Sequence, residues 1–223
     1  MKNLLLVGLL FNSILLTGQI HLIGLDAGLN LTNFVTNQPI NFDRKFKPGF
    51  SAGLDYTYLS KGHFFFGTGI VYQQRGYSYE IFPTDPQGNF KNSINLRANF
   101  HYLGLPVKIG YKTGEDFIMF FNVGLVPAII LNANRSVKEF EFNGVKYPKN
   151  RIDATKNVKT FDIACLLEAG GIFKLSNQYK LTISIQYQNS IETNYFKNKN
   201  SNLITHYGFT TNFGVRYILN HKL

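Results

Sequence analysis

The 223 residues include one cysteine and no tryptophan, only 16% are charged, and beyond the first stretch there is no apolar run long enough for a membrane helix. A lone cysteine, Cys165, cannot close an internal disulfide, and it excludes a cysteine-rich zinc site. Low charge combined with 44% hydrophobic residues excludes a disordered chain. Mean hydropathy is −0.08, which by itself resembles an ordinary soluble domain. What is present in unexpected places is glycine. GLDAGLNL and FFFGTGIVY carry it inside apolar stretches, where each glycine would weaken a helix and β structure is favoured. The net charge of +10 would suggest nucleic acid only if it were gathered into a binding motif, and it is not.

Met1-Lys2-Asn3 is a short positive start, followed by apolar residues from Leu4 to Leu16 broken by Asn12 and Ser13, then small Thr17 and Gly18. This reads as a secretory signal peptide over residues 1–18, cut after Gly18, leaving a single domain over 19–223. Leu16 is large for a cleavage site, so an uncleaved anchor is the alternative. The run is too short for a comfortable bilayer-spanning helix, which needs about 20 apolar residues.

Eight segments then alternate with period two. Ile23, Leu25, Ala27, Leu29 and Leu31 oppose Gly24, Asp26, Gly28 and Asn30. Phe50, Ala52 and Leu54 oppose Ser51, Gly53 and Asp55. The third segment runs from Phe64 to Arg75. The fourth runs from about Ala98 to Tyr111, with Pro106 marking a bulge or an unpaired position. The fifth, Phe117 to Leu131, is apolar on both faces except for Asn122 and Gly124. Ile163, Cys165 and Leu167 lead the sixth, and Leu181, Ile183, Ile185 and Tyr187 the seventh. In the eighth, Tyr207, Phe209, Phe213 and Val215 oppose His206, Gly208, Thr210 and Arg216. Segments this long exceed the five or six residues usual in soluble strands and suit membrane strands of about nine to eleven.

Connections alternate too: those near residues 32–48, 81–97, 132–160 and 190–202 are long, and those near 60–63, 112–116 and 176–179 are short. Short turns on one rim and long loops on the other indicate an all-β, eight-stranded antiparallel up-and-down transmembrane β-barrel. Charge supports the direction of the faces. Asp26, Asp55, Arg75, Lys108, Asp162, Glu168 and Arg216 all share the small and polar face, which a soluble ligand-binding barrel would turn outward. The Tyr- and Phe-rich apolar faces supply aromatic girdles in the absence of tryptophan.

GLDAGLNLTNF, KPGFSAGLDYTYL, YLGLPVKIGYK and FDIACLLEAGGIF, set in this rhythm, resemble the PorT-like family of small outer-membrane barrels of Gram-negative bacteria. The resemblance implies an outer-membrane location and, from the name-giving member, assistance to protein secretion; it assigns no activity. Many outer-membrane barrels end in an aromatic residue read by the barrel-assembly machinery. Here Tyr217 or Phe213 must serve, because the chain ends His221-Lys222-Leu223.

An eight-stranded barrel has room inside for its own side chains or one small ligand. The seven inward charges, four acidic and three basic, point to an ion network that plugs the lumen; a narrow ion or small-solute path is the alternative. The surplus positive charge lies mainly in the long connections, most of it in residues 132–160. Arg44, Lys45, Lys47, Arg135, Lys138, Lys146, Lys149 and Arg151 are therefore candidate anion contacts for outer-membrane lipid, lipopolysaccharide or an envelope or secretion protein, with solvated loops as the alternative. No cofactor, metal or nucleic acid is expected. His21, His63 and His221 fall near the periplasmic rim or tail, and His101 and His206 on strands near the outer rim. His101 with Asp85 or Asp153 is the one imaginable surface site, without a nucleophile elbow or a Ser-His-Asp order to support it. A non-enzymatic role follows.

Overall fold

A computed structural model describes residues 20–36, 43–82, 93–142, 145–191 and 204–219. Residues 1–18, where the sequence predicts a signal peptide, and Asp85 and His221 lie outside these residues. The described strands are β1 (Ile20–Thr36), β2 (Asp43–Lys45), β3 (Lys47–Leu59), β4 (Phe64–Ile81), β5 (Ile94–Gly104), β6 (Val107–Thr113), β7 (Phe117–Val137), β8 (Phe140–Phe142), β9 (Val145–Tyr147), β10 (Asn150–Asp153), β11 (Phe161–Lys174), β12 (Tyr179–Ser190) and β13 (Ile204–Ile218). Every pairing among them is antiparallel. β1 pairs β3, β3 pairs β4, β5 and β6 together bridge β4 to β7, and β7, β11, β12 and β13 follow in turn. The ring closes where β13 pairs β1 in register from Leu22 with Ile218 to Thr36 with Ile204. Eight walls therefore enclose the lumen, with β5 and β6 as two halves of one wall.

The break between β5 and β6 falls at Leu105-Pro106. Pro106 has no N–H to give a ladder, while Leu105 N–H still reaches Pro127 O at 2.9 Å and keeps the wall attached to β7. The described residues of the 132–160 stretch form further strands. β7 extends to Val137, β8 and β9 make a hairpin, β10 returns along β7, and a short turn at Thr155–Asn157 leads into β11. Between His101 and Tyr102 the β5–β7 register shifts by a bulge. A bulge exchanges the faces on which the following residues point.

The outer surface is an apolar belt. Leu25, Leu29, Leu54, Ile70, Val123, Leu125, Leu167, Ile185, Phe213 and Val215 are all exposed there. On β1 it runs from Ile23 to Leu31, about nine residues and so the length of a tilted membrane strand. Ring pairs border it on both sides: Phe117 with Phe173 and Tyr179 with Tyr217 on the short-turn side, Phe50 with Tyr72 and Tyr187 with Phe209 on the other. Cys165 is exposed on this belt.

The inner face is layered, where alternation alone suggested a uniformly small and polar surface. Leu22, Leu59, Phe65, Ile118, Phe120 and Ile172 pack into an apolar layer at the short-turn end. Phe34, Tyr77, Phe100 and Tyr102, with Ala154 and Val158 from the 132–160 connection, form a second layer near the opposite end. The linked ion pairs of Asp26, Asp55, Lys108, Glu168 and Arg216 lie between. In a barrel this narrow, side chains from opposite walls meet and fill the interior.

Candidate functional site

The seven charges that alternation placed inward occupy the central layer, on six of the eight walls. Arg216 on β13 reaches Asp55 at 2.6 Å and Asp26 at 3.2 Å. Lys108 on β6 lies between Asp55 at 3.3 Å and Glu168 at 3.0 Å. Asp55 thus bridges two cations from different walls. Glu168 on β11 is the most connected group, also accepting from Ser184 Oγ at 2.7 Å, Gln186 Nε2 at 3.0 Å and Asn122 Nδ2 at 3.2 Å. Nearer the outer rim, Arg75 pairs with Asp162 at 2.7 Å and stacks over the Tyr102 ring at 4.9 Å. Its guanidinium also donates to Gln188, which donates to Gln186, so one hydrogen-bonded chain links every charge from Asp26 to Asp162.

Glycine makes room for these long side chains. Gly24 is paired with Arg216 in the ladder, and a Cβ there would press on the Arg216 stem at 2.9 Å. A Cβ at Gly214 would collide with the Asp26 carboxylate. Of the glycines that looked out of place in apolar stretches, Gly24, Gly67 and Gly69 are inward positions opposite a charge, and Gly28 is opposite Ser51 and Asn212. Asn30 Oδ1 and Asn122 Oδ1 have no protein partner. Asn30 borders a cavity of about 10 Å³, a space for one water. Another of about 40 Å³ lies beside Asp55 and Lys108.

Three buried groups escaped the sequence reading or were misjudged by it. His206 is not a wet rim residue: it is buried in the lumen, its ring 5.2 Å from Phe100 and 5.7 Å from Tyr77. Its alternation with Tyr207 and Phe209 already carried that signal. Lys180, one residue before the point where alternation becomes clear, is buried on the same face as Thr182 and Ser184. Lys47 is also buried, its Nζ on Pro48 O at 3.3 Å.

The eight candidate anion contacts do not act together. Lys45 is held by Glu80 at 2.8 Å, and hydrogen bonds from Lys45 and Asn95 keep the Glu80 carboxyl below the usual carboxylate range. Lys47 is buried, and the Arg44 side chain lies outside what is described. Lys146 sits opposite Glu141 in the β8–β9 hairpin. Arg135 lies past the bulge opposite buried Ala98, which turns it toward the lumen mouth. Lys138, Lys149 and Arg151 do converge, on an outer groove they share with Arg97 and His101. Arg97 was missed because it precedes the first clear alternation of its wall. His101 is hydrogen-bonded to the Tyr72 hydroxyl, and the Asp153 carboxylate accepts the Thr155 N–H at 2.8 Å, so each is engaged elsewhere. Among the described residues no three His, Cys, Asp or Glu side chains converge as a metal site would require.

The model of a family described as outer membrane protein beta-barrel domain matches residues 19–195. Among solved structures, Neisserial surface protein A is 12% identical with a TM-score of 0.44, covering 90% of this chain and 99% of its own. OprG from Pseudomonas aeruginosa is 10% identical with a TM-score of 0.47, covering 92% and 97%. Ail, the attachment invasion locus protein of Yersinia pestis, is 12% identical with a TM-score of 0.39, covering 89% and 98%. No curated protein matches the sequence.

Proposed function

The chain belongs to the outer membrane protein beta-barrel domain family, and from that premise we propose that it is a non-enzymatic barrel of the Gram-negative outer membrane, closed to solutes and acting through its extracellular surface. The observation that carries this reading is the filled lumen. A layer of linked ion pairs lies between two apolar layers, and the cavities left beside it, about 10 and 40 Å³, hold one or a few waters. What remains for interaction is the outer rim, with its basic surplus and the strands β8, β9 and β10. Lipopolysaccharide and envelope proteins are its partners in this reading, and the PorT-like resemblance adds assistance to protein secretion.

Planar-bilayer recording tests closure. The purified protein inserted into a bilayer is expected to give no sustained conductance steps; reproducible single-channel steps would favour the narrow ion-path alternative.

Residues 1–18 serve, in the same proposal, as a cleaved export signal. The family match beginning at residue 19 supports this boundary. Mass spectrometry of the protein isolated from outer membranes should find Gln19 as the mature N-terminus. A chain beginning at Met1 would make the segment an anchor.

A further inference from the structure

The groove of about 670 Å³ at the outer rim lies on the outside of the wall, not in its lumen. Arg97, Asn99 and His101 on β5 alternate with Ala98, Phe100 and Tyr102, all three of which are buried inside. Asn134 and Ser136 on β7 are opposite Asn99 and Arg97, and Arg151 on β10 is opposite Ser136, so three strands present one outward patch. Lys138 and Lys149 flank it at the foot of the β8–β9 hairpin, and Glu139 is the one acid in the lining. Asp153, at the edge, is turned to Thr155 N–H. Four cations thus face one carboxylate in a space of the size that holds a small ligand.

Position selects the ligand. Along β5 and just past its end, the same outward side continues from Arg97 and His101 into exposed Leu103 and Leu105, and Leu131 of β7 is exposed nearby. His101 and Leu103 are two residues apart, roughly 6.6 Å along the strand. The basic patch begins where the apolar belt ends, with Tyr72 hydrogen-bonded to His101 at the boundary. A molecule lying against both must be amphiphilic, with acyl chains below and an anionic head above. Guanidinium pairs suit phosphate oxygens, which they bind through two parallel N–H donors.

We propose that this groove holds the phosphorylated sugar headgroup of an outer-leaflet lipid, with its chains on the Leu103–Leu105 surface. The proposal rests on the reading of the rim as the working surface and assigns its lipid partner a site. A ligand so placed fixes the barrel's depth and rotation in the leaflet.

Native mass spectrometry of the detergent-solubilised barrel tests it, with bis-phosphorylated lipid A, dephosphorylated lipid A and inorganic phosphate as probes. The wild-type barrel should retain the phosphorylated lipid at least about tenfold better than the dephosphorylated one, and R97Q/R151Q should lose most of that preference. K138Q/K149Q, altered only at the hairpin foot outside the ring, should show a smaller loss, and K146Q none. Heat-modifiable migration on gels checks that each variant is folded. If wild type retains neither lipid, the lipid-contact reading of the rim falls with the proposal. If wild type discriminates and both groove variants discriminate equally well, only the groove assignment is overturned. Full displacement of the lipid by millimolar inorganic phosphate would overturn the lipid source.

Discussion

Glu168→Ala is expected to lower the stability of the folded barrel by about 3–5 kcal/mol, the usual penalty for leaving a buried ion without its partner, and to leave bilayer conductance at the wild-type level. Glu168 is 3% exposed and accepts four hydrogen bonds from Lys108, Asn122, Ser184 and Gln186. Removing it strips all four donors of an acceptor and leaves Lys108 with Asp55 alone, at 3.3 Å. Asp55 is already shared with Arg216, so the loss propagates along the chain of ion pairs. Glu168→Gln keeps the shape and part of the hydrogen bonding and should fall between wild type and alanine. Urea unfolding in lipid vesicles reads the stability, and single-channel recording reads the pore. Conductance stays low because the apolar layers of Leu22, Phe65, Phe120 and Ile172 on one side and Phe34, Tyr77 and Phe100 on the other are untouched. A sustained conductance increase in Glu168→Ala would mean that the carboxylate obstructs an ion path, and unchanged stability would mean that the network contributes nothing to holding the walls.

Leu25→Arg should cost roughly 2–4 kcal/mol in a bilayer, the penalty for a basic residue on the lipid face near mid-membrane. Leu25 is 67% exposed and lies between Leu54 and Val215 on the neighbouring walls, themselves 55% and 48% exposed. These three side chains touch little protein, so in detergent micelles, where a charge can find water, the substitution should be nearly silent. Comparing folding into vesicles with folding into micelles separates the lipid effect from any packing defect. A soluble barrel would tolerate arginine on such an exposed site in either medium. Equal stability in vesicles would therefore overturn the membrane assignment of this face.

Part of the molecule is legible in sequence because alternation is a local property. A strand's two faces are fixed by the pleat, whatever its neighbours, so Leu25 against Asp26, or Ile185 against Gln186, can be sorted without knowing the fold. The same rule placed seven charges on one face, and it also held the information that His206 and Lys180 point inward. What alternation could not express was depth. Leu22, Phe65 and Phe120 lie on the inward face as well, and only the position of each residue along the barrel axis separates the apolar layers from the ion layer.

The rim was less legible, because counting charges in a connection does not give their direction. The bulge between His101 and Tyr102 turns Arg135 to the lumen mouth and its neighbours Asn134 and Ser136 outward. From composition alone Arg135 and Arg151 looked equivalent. Strand pairing of residues 150–153 along β7 then brings Arg151 into one groove with Arg97, on the far side of Ser136 and more than fifty positions away in the chain.

The sequence by itself determined the all-β class, the two faces of each wall and hence a barrel that turns its apolar side to lipid. Each of these follows from residue type and a two-residue period. Only the tertiary structure decided the partners. Arg216 meets Asp26 across 190 positions because β13 closes on β1, and Lys108 lies between Asp55 and Glu168 because the register around eight walls brings those three to one level. Those distances depend on ring closure and strand stagger, which belong to all the walls together and are carried by no single segment of the chain.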